Sequence, residues 1–193
     1  MPSRNSSETG CCTLPNGAVM IVPSILGSIA AVISLISEFT CVFVKRTEQE
    51  TYFKQTFDLG LWSWGLITDS TYGNEECYRY GEVDPVDVTL ESARIFGMIA
   101  VIYGGITLIL SFLSTCMPYS KVVLGVIGAS YFATCFCEGL KLLILSADVC
   151  TTDIGDPPLD WGPCELNSGA VMVIVALMLW FVSGSMACIA MRR

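Results

Sequence analysis

The stretch Phe57–Arg94, FDLGLWSWGLITDSTYGNEECYRYGEVDPVDVTLESAR, decides the fold through what flanks it. It carries Gly60-Leu61-Trp62 near its start, is acidic and Tyr-rich around Cys77, and closes with Leu90-Glu91-Ser92-Ala93-Arg94. Its polar segment, 45–94, lies between two long apolar runs. A polar segment bounded in that way reads as an aqueous loop held at both ends by a membrane.

The runs extend the same pattern along the chain. Ala18–Val44, Ile95–Cys116, Val122–Ala147 and Gly169–Met191 are nearly free of charge, and each is 22 residues or longer. A helix needs roughly 20 residues to cross the hydrocarbon core. The runs lack the alternation of a transmembrane barrel, so helices are the way for their backbone to satisfy itself in lipid. The composition agrees: 193 residues, 53% hydrophobic, 15% charged, with a mean hydropathy of +0.62. A water-facing surface requires more charge than that. The first run is about twice the length of a signal-peptide core and follows a long, nearly uncharged segment, so it reads as a span and not as a cleaved leader.

The expected fold is a mainly α membrane protein, a bundle of four transmembrane helices at about 18–44, 95–116, 122–147 and 169–191. Residues 1–16 read as a disordered tail, and 17–193 as one membrane domain with loops at 45–94 and 148–168. The link around Met117-Pro118-Tyr119-Ser120 is short, which makes helices two and three antiparallel neighbours. Four spans put both termini on one side and both loops on the other.

The loop side is acidic, with ten acids and five bases from Lys45 to Arg94, and five acids and no base from Asp148 to Asn167. The positive-inside rule is ambiguous, because Lys45, Arg46 and Arg94 flank the loop side, while Lys121, Arg192 and Arg193 lie on the tail side. The terminal Arg pair and the cysteine usage favour cytosolic termini, and plasma membrane is the expected location. On that topology the sequon Asn5-Ser6-Ser7 faces the cytosol and goes unused.

Within the first loop, Cys41-Val42-Phe43-Val44 and Tyr52–Ile67 are rich in β-branched and aromatic residues and predict strands. Tyr72-Gly73-Asn74 reads as a turn. Asp84–Thr89 leads into an extension of helix two, with Thr89 or Asp87 as N-cap. A small antiparallel sheet from the first loop therefore stands on the bundle. An extended strand would send Trp62 and Trp64 to one face, to seat the sheet at the membrane interface or to bind a partner, with Trp161 doing the same for loop two.

Four spans, a large first loop, a shorter second loop and Gly60-Leu61-Trp62 resemble the claudin and peripheral-myelin-protein superfamily of tetraspan proteins. Cys77 resembles the second of that family's paired loop cysteines, and Ala93-Arg94 resembles the Ala-Arg pair at the start of its second helix. The chain departs where the family places its first loop cysteine, since Ser63-Trp64-Gly65-Leu66-Ile67 has none. It also carries Met191-Arg192-Arg193 where claudins carry a longer, scaffold-binding tail. The resemblance thus implies the bundle and an outward face more directly than a scaffold-anchored junction.

Ten cysteines are present. Cys41, Cys77, Cys150 and Cys164 lie on the loop side, where four thiols allow three pairings. Cys150–Cys164 would close a loop of about 15 residues, worth about 3 kcal/mol by chain entropy. Cys41–Cys77 would replace the missing family disulfide; alternatively, Cys41 is a buried free thiol of helix one. Such bonds require an oxidising exterior or lumen. On the tail side Cys11, Cys12, Cys116 and Cys188 are candidate lipidation sites or small apolar fillers. Cys135 and Cys137 read as packing residues.

Glu138 and Lys141 stand three apart on one helical face, and Glu38 lies at a similar depth in helix one. Intramembrane charge points to function. Lys141 is about 30 Å along helix three from Lys121, which places the pair near the outer interface, as a structural ion pair or as a pore or partner contact. Small residues recur at spacing four: Gly125, Ala129 and Ala133, Ser24 with Ser28, and Gly27 with Ala31. They predict close helix packing in the bundle, or lateral self-association.

The chain has no His, which removes the commonest general base and metal ligand. It also has no Walker or GxGxxG pattern. A non-enzymatic role without cofactor or metal is expected. The partners expected are membrane lipids and other membrane proteins, by homo- or hetero-association, and no nucleic acid. Three roles follow: claudin-like adhesion, barrier or membrane organisation through the acidic loops; an accessory subunit of a channel, transporter or other membrane complex; or a cation-selective pore.

Overall fold

A computed structural model describes residues 20–49, 54–67, 77–80, 87–117, 119–151 and 162–192. Four helices are long and apolar enough to cross a membrane. They are α1 (Ile21–Phe39), α2 (Val88–Cys116), α3 (Lys121–Leu140) with its 3₁₀ continuation Lys141–Ser146, and α5 (Ser168–Arg192), with a short α4 (Asp148–Thr151) between the last two. α1 and α3 each pack against both α2 and α5.

The bundle is built with small side chains inside and large apolar ones outside. Ser24, Gly27, Ala30 and Ser34 of α1, Ala93, Gly97, Ala100 and Gly104 of α2, and Ala176, Gly184 and Ala187 of α5 are buried. Ile25, Ile29, Val32, Ile95, Ile99, Ile106, Val171 and Met178 are exposed. In water this distribution would be inverted. In lipid nothing drives Ile or Leu inward, and small interface residues let backbones approach. One aromatic pair fills the centre: Tyr131 and Trp180 stand 5.7 Å apart, in a cluster with Ala30, Ile127 and Ala176.

On one end of the bundle sits a five-stranded antiparallel sheet, β1 (Val44–Gln49), β2 (Lys54–Leu59), β3 (Ser63–Ile67), β4 (Cys77–Arg79) and β5 (Glu165–Leu166), in the order β4-β3-β2-β1-β5. β1 and β2 form a hairpin with Val44 opposite Leu59, and β3 follows β2 through the turn Gly60-Leu61-Trp62. A second core joins sheet to bundle: Val44 and Leu59 from the sheet, Phe43 just before it and Leu61 from the β2–β3 turn pack with Leu90, Ala93, Ile144, Ala147, Ala170 and Val173. Full burial of each large member is worth roughly 1.5–3 kcal/mol.

Several expectations are corrected. α1 ends at Phe39 with Thr40 as C-cap, so Cys41–Phe43 belongs to neither helix nor strand, and β1 starts at Val44. The apolar run from Ile95 does extend toward the loop as expected, α2 beginning at Val88 with Asp87 as N-cap residue, but the cap makes no side-chain bond. The second loop contributes β5, so the sheet is not the first loop's alone. Strand forms as expected in β2 and β3, but Trp62 belongs to the turn between them, so Trp62 and Trp64 do not share a strand face. Of the stripe Gly125, Ala129, Ala133 only Gly125 meets the bundle, where a Cβ would stand 2.8 Å from Met191 of α5; Ala129 and Ala133 are exposed, and α3 packs through Leu124, Ile127, Gly128, Tyr131 and Thr134. The tail 1–16, the turn at Tyr72-Gly73-Asn74 and Trp161 lie outside the described residues.

Candidate functional site: the joint between sheet and bundle

The Gly60-Leu61-Trp62 turn gains its meaning from what each residue meets. Gly60 N–H donates to the Ser63 carbonyl at 2.7 Å, closing the turn. A Cβ on Gly60 would run into the Thr40 carbonyl oxygen and come within 2.8 Å of Cys41 Cα, so the end of α1 leaves room for glycine alone. Leu61 is fully buried in the joint core. Trp62 turns its indole toward the bundle, and its Nε1 donates to Glu38 Oε1 at 2.8 Å.

Arg94 fastens the same turn from the side of α2. Its Nε donates to the Leu61 carbonyl. Its guanidinium carbon lies 5.3 Å from the Trp62 ring centroid and 5.0 Å from that of Tyr80, within cation–π range. The Tyr80 hydroxyl donates to the Gly60 carbonyl at 3.1 Å. All three residues of the Gly-Leu-Trp motif and Arg94 are therefore parts of one fastening.

Below the turn lies the charged cluster. Lys141 Nζ sits 3.3 Å from Glu38 Oε2 and 3.0 Å from Glu138 Oε1, and all three side chains are fully buried. It also donates to the Ser34 carbonyl at 3.2 Å and to Ser34 Oγ at 3.1 Å. Ser34 Oγ donates in turn to Glu138 Oε2 at 2.6 Å. Every carboxylate oxygen thus faces an ammonium, an indole N–H or a hydroxyl, the condition under which buried charge is tolerated.

α2 admits the cluster because it carries Gly97, where a Cβ would collide with the Glu38 carboxylate and stand 2.7 Å from its Cδ. The sequence places these charges at the outer interface; the structure seals them beneath the β2–β3 turn. Glu38, Glu138 and Lys141 come together as a buried ion cluster, which fits the structural ion pair among the readings of the sequence.

Comparison with models of known protein families gives no match, and comparison with curated proteins gives none either.

The second loop is bound to the sheet by residues to which sequence reading gives no such role. Arg46 is buried on β1, where its Nε donates to the Gly162 carbonyl at 3.1 Å and its Nη1 to the Val149 carbonyl at 2.7 Å. Asn167 Nδ2 donates to Asp58 Oδ1 at 2.9 Å, and Asp58 is buried. Lys45 pairs with Glu165 at 3.1 Å on the surface, where an ion pair contributes little.

Two disulfides complete the joint. Cys150–Cys164 closes loop two with a Cα–Cα distance of 5.2 Å. Cys41–Cys77, at 6.0 Å, ties the end of α1 to the outermost strand, so Cys41 is not a free thiol of helix one.

The lipidation candidates separate. Cys116 is exposed at the end of α2, whereas Cys188 faces α3, with its Sγ 2.8 Å from the position a Cβ on Gly128 would take. Cys188 is therefore a packing residue. Cys135 is another, its thiol directed at the Leu177 carbonyl 3.4 Å away. Cys11 and Cys12 lie outside the described residues.

The arrangement holds the sheet on four helices through covalent, ionic, hydrogen-bonded and apolar contacts. Within the buried cluster Glu38, Glu138 and Lys141 pair with one another.

Proposed function

We propose that this chain is a non-enzymatic, claudin-like membrane protein that presents its sheet and acidic loops to neighbouring membrane proteins. The observation that carries the reading is the joint. Two disulfides, the Arg94 fastening and the Trp62–Glu38 bond fix a five-stranded sheet in one orientation on the bundle. A pre-organised surface loses little entropy on binding. The sheet faces an oxidising exterior, because both disulfides lie on its side, and the termini are cytosolic. A pore gains no support from Asp58, a loop acid that is buried and bonded to Asn167.

Purification in mild detergent followed by reconstitution into vesicles tests the reading. Adhesion or membrane organisation predicts self-association or contacts between vesicles. A stable hetero-complex without either would favour the accessory-subunit role. Cation conductance from the reconstituted protein alone would overturn both in favour of a pore.

A further inference from the structure

We propose that the outer seam between α1 and α2 binds a phospholipid, its phosphate on Arg94 and an acyl chain along Met98, Val101 and Gly105. These four residues follow one another at spacings of four, three and four, which places them on a single face of α2. All four are partly exposed.

The side they occupy follows from their neighbours. Gly97 faces the Glu38 carboxylate of α1, and a Cβ on Gly27 of α1 would meet Leu108 of α2 at 2.8 Å. Tyr103 instead reaches Ser130 of α3, at 3.4 Å. On the helical wheel the Arg94 face lies beyond Gly97 and Leu108, away from Tyr103, and so borders α1.

Arg94 is built to receive a phosphate. Nε is spent on the Leu61 carbonyl, and the Trp62 and Tyr80 rings hold the guanidinium. Among the described residues its two terminal nitrogens have no acceptor. A held guanidinium fork matches phosphate oxygens in geometry and charge. The one carboxylate on α2, Glu91, lies a turn nearer the sheet and is exposed, where solvent screens it.

Below Arg94 this face of α2 is open at Gly105. A Cβ added at Gly105 would meet nothing within 4 Å, whereas Gly27, Gly97 and Gly104 are all tightly met. Eleven residues separate Arg94 from Gly105, about 16 Å along the helix. That is about half of a 30 Å hydrocarbon core, the depth of one leaflet. A headgroup on Arg94 thus sets an acyl chain beside the open glycine.

The test is native mass spectrometry of the full chain in mild detergent, offered phosphatidylglycerol, phosphatidylcholine, diacylglycerol or inorganic phosphate. Both phospholipids should be retained, and diacylglycerol roughly tenfold less or weaker still, the loss of one charge-assisted contact. Arg94→Lys keeps the charge but loses the fork, and should reduce retention. Gly105→Leu fills the seam without touching the Arg94 fastening. It should lower phospholipid retention while leaving the thermal midpoint unchanged or higher. If Arg94→Lys fails to fold, Gly105→Leu decides alone. Equal retention of diacylglycerol and phospholipid, or undiminished retention by Gly105→Leu, would overturn the site. Inorganic phosphate bound as firmly as phospholipid would make Arg94 a free-anion site and overturn the lipid assignment.

Discussion

At the sheet end of the bundle, α1, α3 and the β2–β3 turn meet through an ammonium, two carboxylates and an indole N–H. At the tail end, α1 meets α2 through the hydroxyls of Ser24 and Ser111, 2.8 Å apart, and α3 meets α5 where Gly128 accommodates Cys188. The tail end needs only to bring helices close, and small residues with neutral hydrogen bonds suffice. The sheet end must also hold a five-stranded sheet at a set angle to the helices. Charge pairing supplies direction there, at the cost that every partner becomes indispensable.

The sharpest way to break this contrast is to remove the ammonium. Lys141→Met should leave two buried carboxylates facing each other, and losing one partner of a buried pair costs about 3–5 kcal/mol. Loss of the monodisperse peak in size-exclusion chromatography, or a large fall in thermal midpoint, is the expected readout. Combining it with Glu38→Gln and Glu138→Gln should recover most of the loss. At the tail end Ser111→Ala should cost only about 0.5–1.5 kcal/mol, the worth of one neutral hydrogen bond. Equal costs at the two ends would remove the distinction.

The disulfides come next. Their sequence separations are 36 for Cys41–Cys77 and 14 for Cys150–Cys164, which by chain entropy correspond to about 4 and about 3 kcal/mol. Paired Cys→Ser variants, compared by thermal unfolding, should show the larger loss for Cys41–Cys77. Trp62→Phe keeps a ring but loses the bond to Glu38, and should cost roughly 1.5–3 kcal/mol as a hydrogen bond to a charged group. A neutral result would show that the sheet is held without the Trp62–Glu38 bond.

Three glycines of α2 grade the contrast along a single helix. Gly97→Ala drives a methyl into the Glu38 carboxylate and should cost about 1–3 kcal/mol, as overpacking does. Gly104→Ala meets Trp180 at 3.0 Å and Thr134 at 3.1 Å and should cost less. Gly105→Ala enters open space and should be neutral, or stabilising by up to about 1 kcal/mol through helix propensity. Thermal midpoints of the three variants give the order directly.

Much of this was legible in the sequence, because lipid imposes long uncharged runs and makes every intramembrane charge conspicuous. Glu38, Glu138 and Lys141 stood out for that reason, and the Gly-Leu-Trp motif and Arg94 through a family resemblance. Their burial was not legible. It depends on where the β2–β3 turn lands on α1, a contact between segments far apart in sequence. Arg46 reads only as a charge flanking the loop side and Asp58 as one acid of an acidic loop, because a charge in a polar loop reads as solvated; their partners come from the returning second loop. The stripe Gly125, Ala129, Ala133 enters the bundle only at Gly125, because spacing four identifies a face of α3 without saying which neighbour it meets; Tyr131 and Glu138 select another face.

The smallest expected effect lies at the rim of the joint. Asp87, exposed beside the start of α2, accepts the backbone N–H of Asp148 at 3.1 Å, and that bond to its ionised form holds its pKa below the ordinary 3.8. A carboxylate with a depressed folded pKa contributes stability that is fully present above the unfolded value. That contribution is lost as pH falls below about 3.8 and through the lower folded value. Asp87→Asn should therefore lower the thermal midpoint slightly at pH 6 and flatten its decline between about pH 4 and pH 2. At the low end of that range the variant and the parent should converge. A difference that grows toward acid would mean that the link between α4 and the start of α2 does not run through this carboxylate, and that the rim of the joint is held by packing alone.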